Sequence, residues 1–289
     1  MINSMRKLKY LLNRNTLLKI YTVFIRPHFE YACEVWDGCG KELSLQLERL
    51  QVEAARIITG LPKYTSFDSL YYETGLETLA ERRKIRKLSL FFNIQNNRSP
   101  LYLKELVPSS VGSKSHYNLR NSIDINIPKT RIKVSYESYF PSTVRLWNSL
   151  SPEIRNTTSL AKFKSCIKPS NTQVPVYFSY GVRKFNILHT QLRHTSSRLS
   201  YDLFRVGLVN DPSCACGNPC ENVYHYFFEC PLYSHNRKIM FKALQDVMGC
   251  NCVITLSIVL NGNADLTIHK NELLFKTVHS YISNSKRFQ

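Results

Sequence analysis

The chain has 289 residues, 43% of them hydrophobic, and its 39 Lys and Arg against 21 Asp and Glu give a formal net charge of +18. That length suits two modest domains, or one with an appendage, each burying a core. No stretch reaches the roughly 18 uninterrupted apolar residues of a membrane span, and the basic start "MINSMRKLKYLLNRN" lacks the apolar core and cleavage site of a secretory signal. An intracellular setting, nuclear or cytoplasmic, is expected, so the nine cysteines read as metal ligands or buried thiols rather than a disulfide framework. The positive excess runs along the whole chain and is densest over residues 108–168, with 10 basic against 3 acidic side chains. That distribution suits a protein lying along a polyanion such as RNA or DNA.

The first hundred residues read as helices. Asn15 is a candidate N-cap for "NRNTLLKIYTVFIRPHFEYACEVWDG", where Leu17, Leu18, Tyr21, Phe24 and Ile25 are apolar and Pro27 kinks or breaks the run. In "ELSLQLERLQVEAARIITG", Leu43, Leu47, Leu50, Ala54 and Ile57 fall at helical spacing, and Gly60 followed by Pro62 signals a stop. Thr78 and Glu81 form a capping box for a third helix whose Leu79, Ile85, Leu88 and Phe92 face a core. Its cations Arg82, Arg83, Lys84, Arg86 and Lys87 are left largely outside, with Glu81 the only acid near in sequence, and form a candidate phosphate-tracking ridge. An exposed charged face with no partner is the plainer reading.

Beyond residue 108 the texture turns polar. The alternation in "SIDINIPKTRIKVSYES" predicts a short β-hairpin, and its Lys129, Arg131 and Lys133 make a second basic patch. Helices resume with Ser151 as N-cap before Pro152, and with Thr158 or Ser159 heading another. Residues 168–175 read as a linker, and four helices are expected near 182–193, 197–207, 232–248 and 269–283. The overall expectation is a mainly α protein: a helical region over 1–107, a basic connector with short strands and helices over 108–168, and a helical C-terminal region over 176–289.

Residues 214–230, "CACGNPCENVYHYFFEC", hold four cysteines and one histidine. Two Cys3His sets fit one tetrahedral zinc: Cys214, Cys216, His225 and Cys230, or Cys216, Cys220, His225 and Cys230. Four protein ligands leave no open position, so such a zinc is structural. Gly217 permits a tight turn, and Pro231 disfavours helix at Cys230, where a break is needed to bring it round to His225. Val223, Phe227 and Phe228 would anchor this knuckle. Cys33, Cys39, Cys166, Cys250 and Cys252 lack such spacing and read as ordinary thiols. Tyr224 and Tyr226 are candidate base-stacking residues, although core packing is the stronger reading for both, as it is for Trp36 and Trp147. The other seven histidines are scattered and suggest no catalytic constellation.

Several blocks together resemble the C-terminal part of reverse transcriptases from non-LTR, LINE-type retrotransposons of the jockey-like kind. "LLKIYTVFIRPHFEYACEVWDG" and "LERLQVEAARIITGLPKYTSFDSLYYETGLETLAERR" are similar to the thumb; "FPSTVRLWNSLSPEIRNTTSLAKFK" to the post-thumb connector; "LHTQLRHTSSRLSYDLFRVGLVNDPSCACGNPCENVYHYFFECPLY" to the zinc-knuckle segment; and "SYISNSKRF" to the family's closing residues. The family pattern selects Cys214, Cys216, His225 and Cys230. It implies thumb helices holding a template-primer backbone and a knuckle region gripping RNA or DNA. The palm's metal-holding aspartates are missing: Asp37, Asp68, Asp124, Asp202, Asp211, Asp246 and Asp265 include no adjacent pair and no Y-x-D-D. Fingers and palm would lie before Met1, and Mg²⁺ belongs only to that palm. The expectation is a non-catalytic fragment whose apolar faces, uncovered without the palm, promote self-association. A free-standing zinc-containing protein-interaction module is the alternative.

Overall fold

The computed structural model describes residues 1–114, 122–168, 174–249 and 252–289. It is mainly helical, and the described residues form no strand beyond one antiparallel bridge between Ser110 and Ile125. No helix among them is long and apolar enough to cross a membrane. The chain divides into two compact units, each built from separate segments: Met1–Val23, Val52–Leu76 and Gln173–Gln289 in the first, Phe24–Gln51 and Glu77–Thr172 in the second. Residues 1–107 contribute to both units, and 176–289 to the first.

Local signals explain most helix ends. The first cap sits two residues earlier than expected: Asn13 accepts from the Thr16 amide and starts Arg14–Ile20. The helix then widens into a π turn at Tyr21–Ile25 just ahead of Pro27, whose ring clashes with the carbonyl four residues back and which has no amide to donate. Lys41–Thr59 stops at Gly60, whose φ of 77° is reached cheaply only by glycine. Thr78 caps Leu79–Gln95 by accepting from the Glu81 amide at 3.1 Å, and Ser151 and Ser159 precede Pro152–Arg155 and Leu160–Ile167 as expected.

The hairpin expected within 122–138 does not form. Among Ile123, Ile125 and Ile127 only Ile125 is buried. The segment pairs instead with residues 109–112, the Val111 amide donating to Asp124 O, Gly112 to Ser122 O and Asn126 to Ser109 O, while the Asn148 side chain accepts from the Ile125 amide at 3.1 Å and donates to the Ile125 carbonyl at 2.8 Å. Lys133–Glu137 is a helical turn. The backbone groups are thus answered from outside the expected hairpin, and Pro128 has no amide to offer a ladder. The expected linker falls mainly on 169–173, outside the described residues, as does Cys250.

In the second unit the axis is Leu79–Gln95, against which Leu160–Ile167, Tyr139–Asn148 and Cys33–Trp36 pack. Phe91, Phe92, Trp147 and Phe163 are its aromatic centre, with Phe92 and Phe163 stacked at 4.6 Å. Trp147 is thus core, as expected; Trp36 is half-buried under the Arg83 guanidinium and donates to the Tyr31 carbonyl.

The first unit has a larger core, in which Ser234–Met248 packs along Ile268–Asn284. Inside it His189 donates from Nε2 to the Val259 carbonyl at 3.0 Å, which leaves Nδ1 to accept from His279 Nε2 at 3.2 Å. Burial, then the charges of Arg14 and Arg193, hold His279 down at about 4, and His189 is lowered for the same reasons with His279 adding to them. A histidine kept neutral by the fold binds its proton preferentially in the unfolded chain. Stability is therefore complete above about pH 6.5 and falls as pH drops toward 4, by about 3 kcal/mol for His279. Urea unfolding at pH 7.5, 6 and 5 should show this decline, and His279→Asn should flatten it; an unchanged slope in the variant would remove the pair as its cause.

Candidate functional site

The sulfur and nitrogen donors of Cys214, Cys216, His225 and Cys230 all lie within 4.8 Å of one another. Cys214 Sγ and Cys230 Sγ are 3.8 Å apart, and Cys216 Sγ is 3.3 Å from His225 Nε2. In a tetrahedral Cys3His zinc site with bonds of about 2.0–2.3 Å, neighbouring donors stand about 3.5–3.8 Å apart. The cluster therefore has the dimensions to hold a metal ion. Cys220 lies outside it, taking a hydrogen bond from Asn222 Nδ2.

Two backbone devices assemble the donors. On the first arm Cys214 donates its amide to Asn218 O, and Gly217, at φ 92°, donates to Cys214 O, closing a tight turn. On the second, His225–Glu229 is a π turn closed by the Cys230 amide donating to His225 O at 2.8 Å. The i→i+5 hydrogen bond of π geometry brings Cys230 round toward His225, where α geometry would leave it well off that face. Cys230 then leaves at ψ 120°, the extended conformation imposed by Pro231. Val223 and Phe227 are buried and Phe228 packs on the same core, so the segment that carries the donors is fastened to the first unit.

Neighbours prepare the donors electrostatically. His225 Nε2 faces Cys216 Sγ within the donor cluster, while the buried Nδ1 lies 3.4 Å from the Glu229 carboxylate without a formed hydrogen bond. The Asn218 amide lowers the Cys216 thiol pKa, whereas burial pushes the Cys214 thiol up to about 12. Arg287 grips Glu221 through two 2.6 Å bonds beside Cys214, and Arg237 donates to the Cys230 carbonyl. Glu221 and Arg287 lie 66 residues apart, and nothing in the local sequence pointed to them.

Tyr226 is fully buried with its hydroxyl on Ser285 Oγ, a core residue. Tyr224 is half-exposed and stacks on Phe228 at 5.1 Å.

The basic run 82–87 is largely spoken for within the second unit. Arg82 pairs with Glu30 and Glu77, and Arg83 with Asp37 at 2.6 Å. Arg86 reaches Glu34 at 3.1 Å, Lys87 reaches Asp37 at 2.8 Å, and Lys84 lies 3.6 Å from Glu81. Arg83 and Lys87 are buried rather than outside; Lys84 and Arg86 keep nearly half their side chains exposed. Lys129, Arg131 and Lys133 are exposed, with only a 3.9 Å approach of Lys133 to Glu137. The missed partners Glu30, Glu34 and Asp37 recur every three to four residues, a helical spacing visible in the sequence but about fifty residues from the run they neutralise.

No family profile and no solved structure match this chain. Over 65 residues it is 38% identical to the retrovirus-related Pol polyprotein from type-1 retrotransposable element R1 of Bradysia coprophila, a match covering 22% of this chain. The match spans about 5% of that polyprotein's length. The likeness is thus to a short part of a retrotransposable-element polyprotein.

Proposed function

We propose that the chain is a non-catalytic C-terminal portion of a retrotransposon RNA-directed DNA polymerase that binds RNA or DNA through its basic helices and carries one structural zinc in its knuckle. The observation that carries this reading is the likeness to the R1 Pol polyprotein in a chain with a net charge of +18. Three thiols and an imidazole are a closed, structural zinc set, with no position left for substrate. Nucleotidyl transfer needs paired carboxylates for Mg²⁺, and the seven aspartates of this sequence include no adjacent pair. The accessible cations Lys84, Arg86, Lys129, Arg131 and Lys133 supply phosphate contacts; Arg82, Arg83 and Lys87 hold the second unit together.

A second reading has its own support. Phe24, Tyr31 and Val35 of the second unit are 62%, 80% and 81% exposed, which favours a zinc-containing protein-interaction module or self-association. Salt separates the two. For a strand contacting about five cations, the log of the affinity should fall with log salt at a slope of about −3.5. Fluorescence anisotropy with a labelled oligonucleotide between 50 and 300 mM salt measures it. A flat response would sink the nucleic-acid reading and favour the protein module.

A further inference from the structure

The first unit contains a basic cleft that the sequence reading did not anticipate. It has a volume of about 630 Å³ and is walled by the helix Ile2–Leu8, the turn after Thr59 and the start of Arg183–Arg193. Seven of its fourteen lining residues are Lys or Arg, and Glu53 is the one acid among them. Glu53 is already shared, with Arg6 at 2.9 Å and Arg56 at 4.0 Å. Two further guanidiniums are structural: Arg183 donates to the Ile57 and Ile58 carbonyls, and Arg56 to Lys63 O. These bonds fix the walls.

The remaining cations are different. Lys9, Lys63, Lys184 and Arg198 have no carboxylate within ion-pair distance among the described residues, and the last three are exposed. Four unneutralised charges in one concavity repel one another, a cost that an anion removes. At the rim Tyr10 is 80% exposed, and Lys9 Nζ lies 4.8 Å over its ring. An aromatic face left to solvent beside unpaired cations is the pairing that single strands use: phosphates on the cations, an unpaired base on the ring. A duplex keeps its bases stacked inside and offers Tyr10 nothing.

We infer that this cleft seats a single strand of nucleic acid, with phosphates at Lys63, Lys184 and Arg198 and one base stacked on Tyr10. The inference rests on the nucleic-acid reading above and names its site and strand form. It places that grip in the first unit, away from the basic run at 82–87.

The test uses the whole chain and a labelled 12-nucleotide single-stranded RNA, with its duplex and poly-glutamate as competitors. The variant Lys63→Glu/Lys184→Glu/Arg198→Glu removes no hydrogen bond or ion pair. It is compared with Lys238→Glu/Lys242→Glu/Lys270→Glu, which makes the same charge change at three exposed cations outside both the cleft and the contacts proposed above. The cleft variant should bind at least tenfold more weakly than this control, with a salt slope shallower by about 2. Tyr10→Ala should lose about tenfold with its salt slope unchanged, since stacking is worth roughly 1–3 kcal/mol per base. Unchanged thermal melting shows that the variants fold. Equal losses in the two triple variants would overturn the cleft while leaving nucleic-acid binding intact. Duplex or poly-glutamate competing as well as the single strand would also overturn it. No binding by the unmodified chain would remove the reading on which it rests.

Discussion

Glu73→Ala should destabilise the first unit by about 3–5 kcal/mol. Glu73 is completely buried on the helix Phe67–Thr74 and accepts, at one carboxylate oxygen, from Arg193 Nη1 at 2.9 Å, His194 Nε2 at 2.9 Å and Tyr177 at 3.1 Å. Arg14, equally buried, stands 3.8 Å from the other oxygen and donates onward to Thr59 O, Asn186 O and Thr190. Arg193 also donates to the Leu260 carbonyl. One carboxylate thus ties together segments near residues 14, 73, 177, 193 and 260. Replacing the whole network by apolar groups would cost little; removing only the acid strands two buried guanidiniums, which is the expensive case. Burial opposes ionisation of Glu73, but the His194 hydrogen bond and the charges of Arg193 and Arg14 outweigh it and hold the carboxyl at about 2. A depressed carboxylate stabilises the fold above its unfolded pKa of about 4.3 and loses that contribution as pH falls toward 2. Urea unfolding at pH 7 measures the substitution directly. A loss below about 1 kcal/mol would mean that water or a rearranged partner replaces the carboxylate.

Glu73 also shows where sequence reading stops. Periodicity, caps and proline placed the long helices, because those signals act between residues a few positions apart. The same locality hid most of the ion pairs: Arg82, Arg83 and Lys87 looked unaccompanied, yet Glu30 and Asp37 lie 46 to 52 residues earlier, and only Glu77, paired with Arg82, is near in sequence. Alternating isoleucines suggested a hairpin because alternation reports burial on one face, and it cannot say that the backbone is answered by residues 109–112 and the Asn148 amide rather than by the residues after Pro128. The metal cluster was legible because its donors sit within seventeen residues. Choosing between Cys214 and Cys220 required the family resemblance, and the geometry now favours Cys214. The basic cleft was illegible for the opposite reason: its cations come from Arg6, Lys63, Lys184 and Arg198, four stretches that only folding brings together.

That cluster carries the largest expected effect. If it holds zinc as proposed, the unmodified chain should bind one equivalent, and Cys220→Ser should keep it. Cys214→Ser should weaken binding at least a hundredfold, because Cys214 Sγ lies 3.8 Å from Cys230 Sγ within the donor cluster and no further thiol among the described residues joins it. Binding free energy at a structural zinc is folding free energy, on the order of 10 kcal/mol. Here it would stabilise the π turn, which carries Tyr226 and Phe227 into the core against Tyr281 and Phe288. Without metal, burial keeps the neighbouring Cys214 and Cys230 thiols protonated, as their upward shifts indicate, whereas the Asn218 amide lowers Cys216. Chelation should therefore lower the melting temperature of the whole first unit rather than fray a surface loop, with a smaller change in the Trp147 core of the second. Atomic absorption gives the stoichiometry, and calorimetry with and without chelator gives the coupling. Loss of zinc in Cys220→Ser with retention in Cys214→Ser would move the site to the other ligand set. Retention in both would show that neither thiol is indispensable, and the knuckle would then owe its shape to the aromatic packing alone.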